Sequence, residues 1–260
     1  MAAEGGRVSI VTAVIGPRAV FEVLRAGERH VEKVFMVATG RSKILKEVLG
    51  LARARGVPVK TLERRALSNL AGGATHQGVV ARVAAITYAA VEDLLEVARA
   101  REEAPCLVVM DGVEDPHNLG AVLRTAEAVG AHGAIIPKDR ATGVSPTVAK
   151  AAAGALEYLR VARVPNLVQA IEGLKAAGLW VYGADAVGGR APAEVDLSGP
   201  LALVLGGEGR GLRSLVRAHC DGILTIPTRG RIGVLNVSVA AGMLLYEVSS
   251  QRRRALGKKA

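Results

Sequence analysis

The sequence predicts an α/β protein of two modules, the second built on a parallel sheet. Three observations predict it. Strand-length runs alternate with helical stretches along the whole chain. In the second part the strand runs, such as "CLVVM", "GAIIP" and "LALVLG", are uniformly apolar, as strands covered on both faces are. Charge also divides the chain. Residues 1–100 hold 15 Lys/Arg against 9 Asp/Glu, a net of +6, whereas residues 101–250 hold 14 against 15, a net of −1.

The first module opens with the helix "GPRAVFEVLRAG", in which Val20, Phe21 and Leu24 share a face and Gly27 stops the helix. "VEKVFMVAT" reads as a strand, "SKILKEVLGLARARG" as a helix ended by Gly56, and "VPVKTLE" as a second strand. A short helix, "RALSNLAG", and the strand "HQGVVARVAAI" close a module expected over residues 1–88. "TYAAVEDLLEVARAREEA" follows and is ended by Pro105, with residues 89–103 expected as the linker.

The second module, residues 104–260, starts with the strand at 106–110 and the helix "LGAVLRTAEAVG". The strand "GAIIP" and the helix "SPTVAKAAAGALEY" come next, and after "LRVARV" the helix "NLVQAIEGLKAAG". The strands "LWVYGAD" and "LALVLG", the helix "GLRSLVRAHC", the strand "DGILTIP" and a closing helix over 235–250 complete it. Ligands of such sheets bind beyond the carboxyl ends of the strands.

Composition narrows the function. Half of the 260 residues are apolar and 22% are charged, the balance of a globular protein. A basic module and a tail with 5 Lys/Arg in its last ten residues, joined to a neutral module, predict a polyanion-binding domain serving another with different work. Aromatics at 3% argue against base-stacking sheets of the RRM kind. No apolar run reaches the roughly 18 residues of a membrane helix. "MAAEGGRVSI" does not read as a signal peptide, so a cytoplasmic protein without membrane association is expected. Cys106 and Cys220, without histidines at metal spacing, read as buried thiols, and no metal is expected.

Three segments leave the strands with polar, Gly-rich chemistry. In "DGVEDPHNLGAVLRTAEA", Asn118 stands at the helix mouth and Gly120 permits close approach. Arg124 falls on a face of small and apolar groups, which predicts a half-buried guanidinium in need of an anionic partner. "LALVLGGEGRGL" has neither the third glycine of a dinucleotide fingerprint nor the Gly-Lys-Ser/Thr of a phosphate loop. Its Glu208 repels phosphate and suits a cationic group or the task of holding Arg124. In "IPTRGRIGVLNVSVAAGMLLYE", Asn236 and Ser238 read either as helix-capping groups or as ligand-facing ones. Together these residues form a positioning site without a hydrolytic triad. The histidines at 30, 76, 117, 132 and 219 are scattered and read as surface or hydrogen-bonded groups.

In this order, "NLGAVLRTA", "LGGEGRGL" and "IPTRGRIGVLNVSVA" resemble the SpoU/TrmH family of RNA ribose 2′-O-methyltransferases, and "GPRAVFEVLRAG" and "HQGVVARV" extend the likeness over nearly the whole chain. The resemblance implies a SPOUT-type catalytic domain with a deep trefoil knot, a rare exception to unknotted topology. It also implies a small N-terminal RNA-binding domain like ribosomal protein L30e, and a homodimer. S-adenosylmethionine is the implied methyl donor, held near Gly206, Ile226 and Leu235. The implied substrate is a guanosine in the peptidyl-tRNA-binding loop of large-subunit (23S) ribosomal RNA. The alternatives are a tRNA or another rRNA nucleotide, including one whose methylation confers antibiotic resistance, and a non-catalytic ribosome-assembly factor. Arg124 takes the central role by analogy; because a guanidinium is a reluctant base, a phosphate clamp is favoured over proton acceptance. Asn118 and Glu208 are expected to orient Arg124 and the ribose, with Asn236 and Ser238 completing the pocket. The family's third motif usually reads Ser-Leu-Asn-Val-Ser, and Val234 stands here at the first serine.

Overall fold

The computed structural model describes residues 11–38, 42–139, 141–230 and 233–257. The stretch "MAAEGGRVSI", Thr39 of the strand run "VEKVFMVAT", Arg231 and Ile232 of the third motif, and the end of the basic tail lie outside them. The chain forms two units, Met1–Thr87 and Tyr88–Ala260.

In the first unit four strands, β1 (Val11–Ile15), β2 (Val31–Val37), β3 (Val59–Leu62) and β4 (Val79–Ala84), pair in the order β1-β4-β2-β3. Only β2 and β3 run parallel; β4 lies antiparallel to both its neighbours. β1 is a strand absent from the expected elements: the run "VTAVI" pairs antiparallel with β4, some seventy residues away. The period-2 alternation of side chains sorts the core onto two faces. Val34, Val79, Ala81 and Val83 pack with Val20, Val23 and Leu24 of α1 (Pro17–Ala26) and Leu45, Val48 and Ala52 of α2 (Lys43–Ala54). Phe35 and Val80 turn the other way, onto Leu67 of α3 (Arg64–Leu70) and Ala71. Gly27 ends α1 in the left-handed conformation (φ 72°), and the Ser42 hydroxyl caps α2 by accepting from Leu45 N–H.

The second unit is a six-stranded, wholly parallel sheet, as its apolar strands predict. Its strands are β5 (Cys106–Asp111), β6 (Gly133–Pro137), β7 (Val161–Val164), β8 (Trp180–Ala184), β9 (Leu201–Gly206) and β10 (Gly222–Leu224). They pair in the order β10-β8-β9-β5-β6-β7. The chain therefore builds outward from β5 in one direction and then returns to the other side, so the switch point falls between β5 and β9. One sheet face is covered by α4 (Val91–Ala100), α7 (Leu167–Ala176) and α8 (Ser214–His219), through Leu94, Leu167, Ile171, Leu174 and Val216. α5 (Pro116–Ala128), α6 (Pro146–Ala152) and α9 (Val237–Gly257) pack together, with α5 and α9 against the strands.

Four expectations change. Residues 89–103 are not a free linker, because they contain α4, whose Leu94 is fully buried against Gly133. The helix expected over "SPTVAKAAAGALEY" stops at Ala152, where Ala153 (φ 51°) and Gly154 (φ 101°) are both left-handed, and resumes as one 3-10 turn. α8 begins at Ser214 because Gly211 (φ 62°) keeps the preceding loop out of the helix. α9, by contrast, runs on to Gly257.

Candidate active site

All three motifs converge at the carboxyl ends of β5 and β9. β5 ends in Asp111, paired with Gly206 at the end of β9, and the Gly207 N–H donates to Asp111 O at 2.9 Å. The approach requires glycine, since a Cβ on Gly207 would stand 2.1 Å from Gly112 O. Asp115 caps α5 by accepting from His117 N–H at 2.8 Å, and Pro116 starts the helix, which puts Asn118 in its first turn. The close approach at Gly120 is that of α6, because a Cβ there would meet Ala151 Cβ at 2.4 Å.

One hydrogen-bonded line joins the motifs. The Ser238 hydroxyl donates to Asn236 Oδ1 at 2.6 Å, Asn236 Nδ2 donates to Asn118 Oδ1 at 3.1 Å, and Asn118 Nδ2 donates to Glu208 Oε1. Every donor points toward the Glu208 carboxylate, so the line has a fixed polarity and its members reinforce one another. Asn236 Oδ1 also accepts the Ser238 backbone N–H at 2.9 Å, and Asn236 O accepts from Ala240 N–H. Capping α9 and reaching the neighbouring motif are thus done by one side chain.

Beside this line lies a cavity of about 520 Å³, within the range of roughly 300–1,000 Å³ common for small-molecule sites. Gly206, Ile226 and Leu235, expected near the methyl donor, all line it, as do Glu208 and Asn236. Leu205, Leu224 and Leu244 make its floor apolar. Val234 also lines it and is 69% exposed, and the Thr228 hydroxyl is nearby on the same wall. Asn118, Arg124 and Ser238 are not among the lining residues.

Arg124 departs from its expected setting. It is exposed on α5, with no hydrogen bond or ion pair among the described residues. The face of small groups around it packs on α6 and α9 through its neighbours, as Gly120 does, and leaves the guanidinium in solvent. Glu208 engages Asn118, so the expected orienting of Arg124 by Glu208 is absent. A free cation on α5, six residues past Asn118, is equipped to take an anionic group from a ligand.

The sequence reading did not name Asp111. Its carboxylate is 1% exposed and accepts Arg213 N–H at 2.8 Å and Arg213 Nε at 2.5 Å. It thereby pins the far end of the Gly-rich loop 206–213 to β5. A lone acid closing an otherwise apolar strand was the available signal. Cys106 is buried, which raises its thiol pKa, whereas Cys220 is half-buried, its thiol pushed up to about 11 chiefly by burial. Among the described residues no group of three His, Cys, Asp or Glu side chains could hold a metal.

A parallel sheet with a cavity beyond the carboxyl ends of β8, β9 and β10, and polar groups that position rather than hydrolyse, marks a ligand-binding α/β protein. The chain belongs to the SpoU rRNA methylase family, whose model matches residues 105–246. A second model, for RNA 2′-O ribose methyltransferase substrate binding, matches residues 13–89. A Bacillus subtilis protein assigned to the TrmH family of tRNA/rRNA methyltransferases, YacO, is 44% identical over 92% of this chain and 95% of its own. The 23S rRNA (guanosine-2′-O-)-methyltransferase RlmB of Xylella fastidiosa is 41% identical over 92% of this chain and 96% of its own. Among solved structures, the SpoU methyltransferase AviRb of Streptomyces viridochromogenes, in complex with the cofactor AdoMet, superposes with a TM-score of 0.76 at 28% identity, covering 93% and 90% of the two chains.

Proposed function

We propose that this chain transfers the methyl group of S-adenosylmethionine to the ribose 2′-hydroxyl of a guanosine in the peptidyl-tRNA-binding loop of 23S rRNA. The observation that carries this reading is the hydrogen-bonded line Ser238–Asn236–Asn118–Glu208 along an apolar cavity. The relatives matched along almost their full length include a 23S rRNA guanosine methyltransferase.

The cavity residues fit the donor: aliphatic side chains at Ile226 and Leu235 suit a flat heterocycle, and Glu208 lies where a cationic sulfonium is welcome. When bound, the donor supplies an electrophilic methyl carbon. That carbon would pass to the ribose 2′-oxygen, with the hydroxyl proton going to solvent. The chain's share is geometry. Arg124, charged and unpaired, holds a phosphate next to the target ribose. Glu208 is kept in place by Asn118, and Asn118 by Asn236, so the acceptor groups are set before RNA arrives. Ser238 acts through Asn236 and not by direct contact with ligand.

The exposed stripe Val239, Met243 and Tyr246 on α9, spaced i, i+4, i+7, supports a homodimer in which a second copy covers it. The trefoil knot, the L30e-like first unit and a cytoplasmic setting belong to the same proposal. No described helix is long and apolar enough to cross a membrane.

The test is to incubate the protein with methyl-labelled S-adenosylmethionine and large-subunit rRNA lacking its native modifications, then map the label by nuclease digestion and mass analysis. A single 2′-O-methylguanosine in the peptidyl-tRNA-binding loop is the expected result. Because the Bacillus relative is assigned to tRNA/rRNA methyltransferases, bulk tRNA is run beside it. Label in tRNA alone replaces the substrate, and cofactor binding without label in either RNA sinks the reading.

A further inference from the structure

The first unit contains a loop whose backbone is held in a costly shape around one exposed amide. Between α3 and β4, four residues of 72–78 are left-handed: Gly72 (φ 57°), Gly73 (φ 81°), Gln77 (φ 48°) and Gly78 (φ 97°). Glycine takes this conformation freely, and a Gln does not. Gly78 needs to be glycine for space as well, since its Cβ would press on Val37 at 3.1 Å and Leu45 at 3.2 Å. At 77 there is no such packing reason for any side chain, because Gln77 is exposed and its amide makes no hydrogen bond among the described residues.

The strain is maintained by His76, which is 5% exposed. Its Nδ1 accepts the Gly78 N–H at 3.1 Å, so its proton sits on Nε2, 3.1 Å from the Ser68 hydroxyl. Ser68 in turn donates to Arg64 O at 3.0 Å. This chain of bonds ties the loop to the first turn of α3, where Arg64 and Arg65 are both exposed and unpaired among the described residues. Two elements of a basic unit, joined by these bonds, thus carry two free guanidiniums and an amide with unused donors and acceptors. Strain that serves no packing is characteristic of a ligand contact.

We propose that Gln77, presented by the strained turn, hydrogen-bonds an unstacked nucleotide of the RNA substrate, while Arg64 and Arg65 contact flanking phosphates. The inference rests on the RNA-methylation reading and adds the surface by which the first unit recognises its substrate. An amide can pair with base edges on both its donor and acceptor sides, and single-stranded loops present those edges.

The decisive variant is Gln77→Gly in the full-length protein, because glycine relieves the backbone. The probe is a transcript of the peptidyl-tRNA-binding region of 23S rRNA. We expect Gln77→Gly to melt at the same or a higher temperature, to keep its kcat and its KM for S-adenosylmethionine, and to raise KM for the transcript about tenfold or more. Arg64→Ala and Arg65→Ala each flatten the log-log salt dependence of transcript binding by about 0.7. An unchanged transcript KM in Gln77→Gly, with methyl transfer intact in the wild type, overturns this inference and leaves the enzymatic reading standing. Wild-type protein that binds the transcript in a Gln77-dependent way without methylating any RNA supports the surface and overturns the enzymatic reading.

Discussion

At position 236 an amide oxygen accepts both the backbone N–H and the hydroxyl of Ser238, while the amide nitrogen reaches Asn118. Helix initiation and site geometry therefore share one side chain, and the two readings of Asn236 left open by its sequence position hold together. Arg124 works differently, because no described residue engages it. Its replacement should leave the cavity untouched: Arg124→Ala is expected to bind S-adenosylmethionine within about twofold of wild type and to lose about a hundredfold or more in kcat. Loss of cofactor binding in a folded Arg124→Ala protein, read by calorimetric titration, overturns the phosphate-clamp role. Asp111 is the opposite kind of residue, buried and fully engaged by Arg213. Asp111→Ala strands the Arg213 N–H but leaves the guanidinium, partly exposed, to water. We expect about 1–3 kcal/mol of lost stability in urea unfolding and weaker cofactor binding.

At the scale of elements, the join between β5 and β6 has its own pH dependence. His132 Nδ1 accepts the Cys106 N–H at 3.0 Å, so its Nε2 carries the proton toward Glu103 at 3.0 Å. Burial, the largest cause, lowers the His132 pKa, against an upward pull from Glu103. The folded state thus holds a neutral ring, whereas the unfolded chain protonates near pH 6.5. The stability His132 contributes is complete above about pH 6.5 and is lost as pH falls through the lowered folded value. Unfolding midpoints should therefore drop between pH 7.5 and 5.5, and the drop should be smaller in His132→Asn. Equal slopes in the two proteins rule out this coupling. How far elements could be read from sequence differs by kind. Parallel strands such as β5 and β9 announce themselves by unbroken apolar runs, and helix ends by Gly27 and Ser42. β1, the run "VTAVI", carries a strand signal of the same kind, whereas the break at Ala153 does not announce itself, because an alanine seldom takes the left-handed angle that ends α6 there.

For the whole molecule, each unit has its own core: the first buries the faces of its four-stranded sheet, and the second closes around Leu107, Val109 and Ile135. A chain lacking residues 1–87 should accordingly fold and bind S-adenosylmethionine while its rRNA affinity falls and its salt dependence flattens. A salt slope equal to that of the full chain would place the docking charge elsewhere.

The α/β class, the parallel sheet, the charge division and the family are legible in the chain alone, because apolar periodicity, glycine punctuation and motif order are its local properties. The sequence also named Gly206, Ile226, Leu235, Glu208 and Asn236, which meet at one cavity. Which groups bond to which follows from the folded arrangement. Glu208 holds Asn118 rather than Arg124, Arg124 stands in solvent, and Asp111 anchors a loop a hundred residues further on. Those outcomes depend on how the ends of β5 and β9 and the start of α9 are brought together, and distances across a sheet are not written in the spacing of residues along the chain.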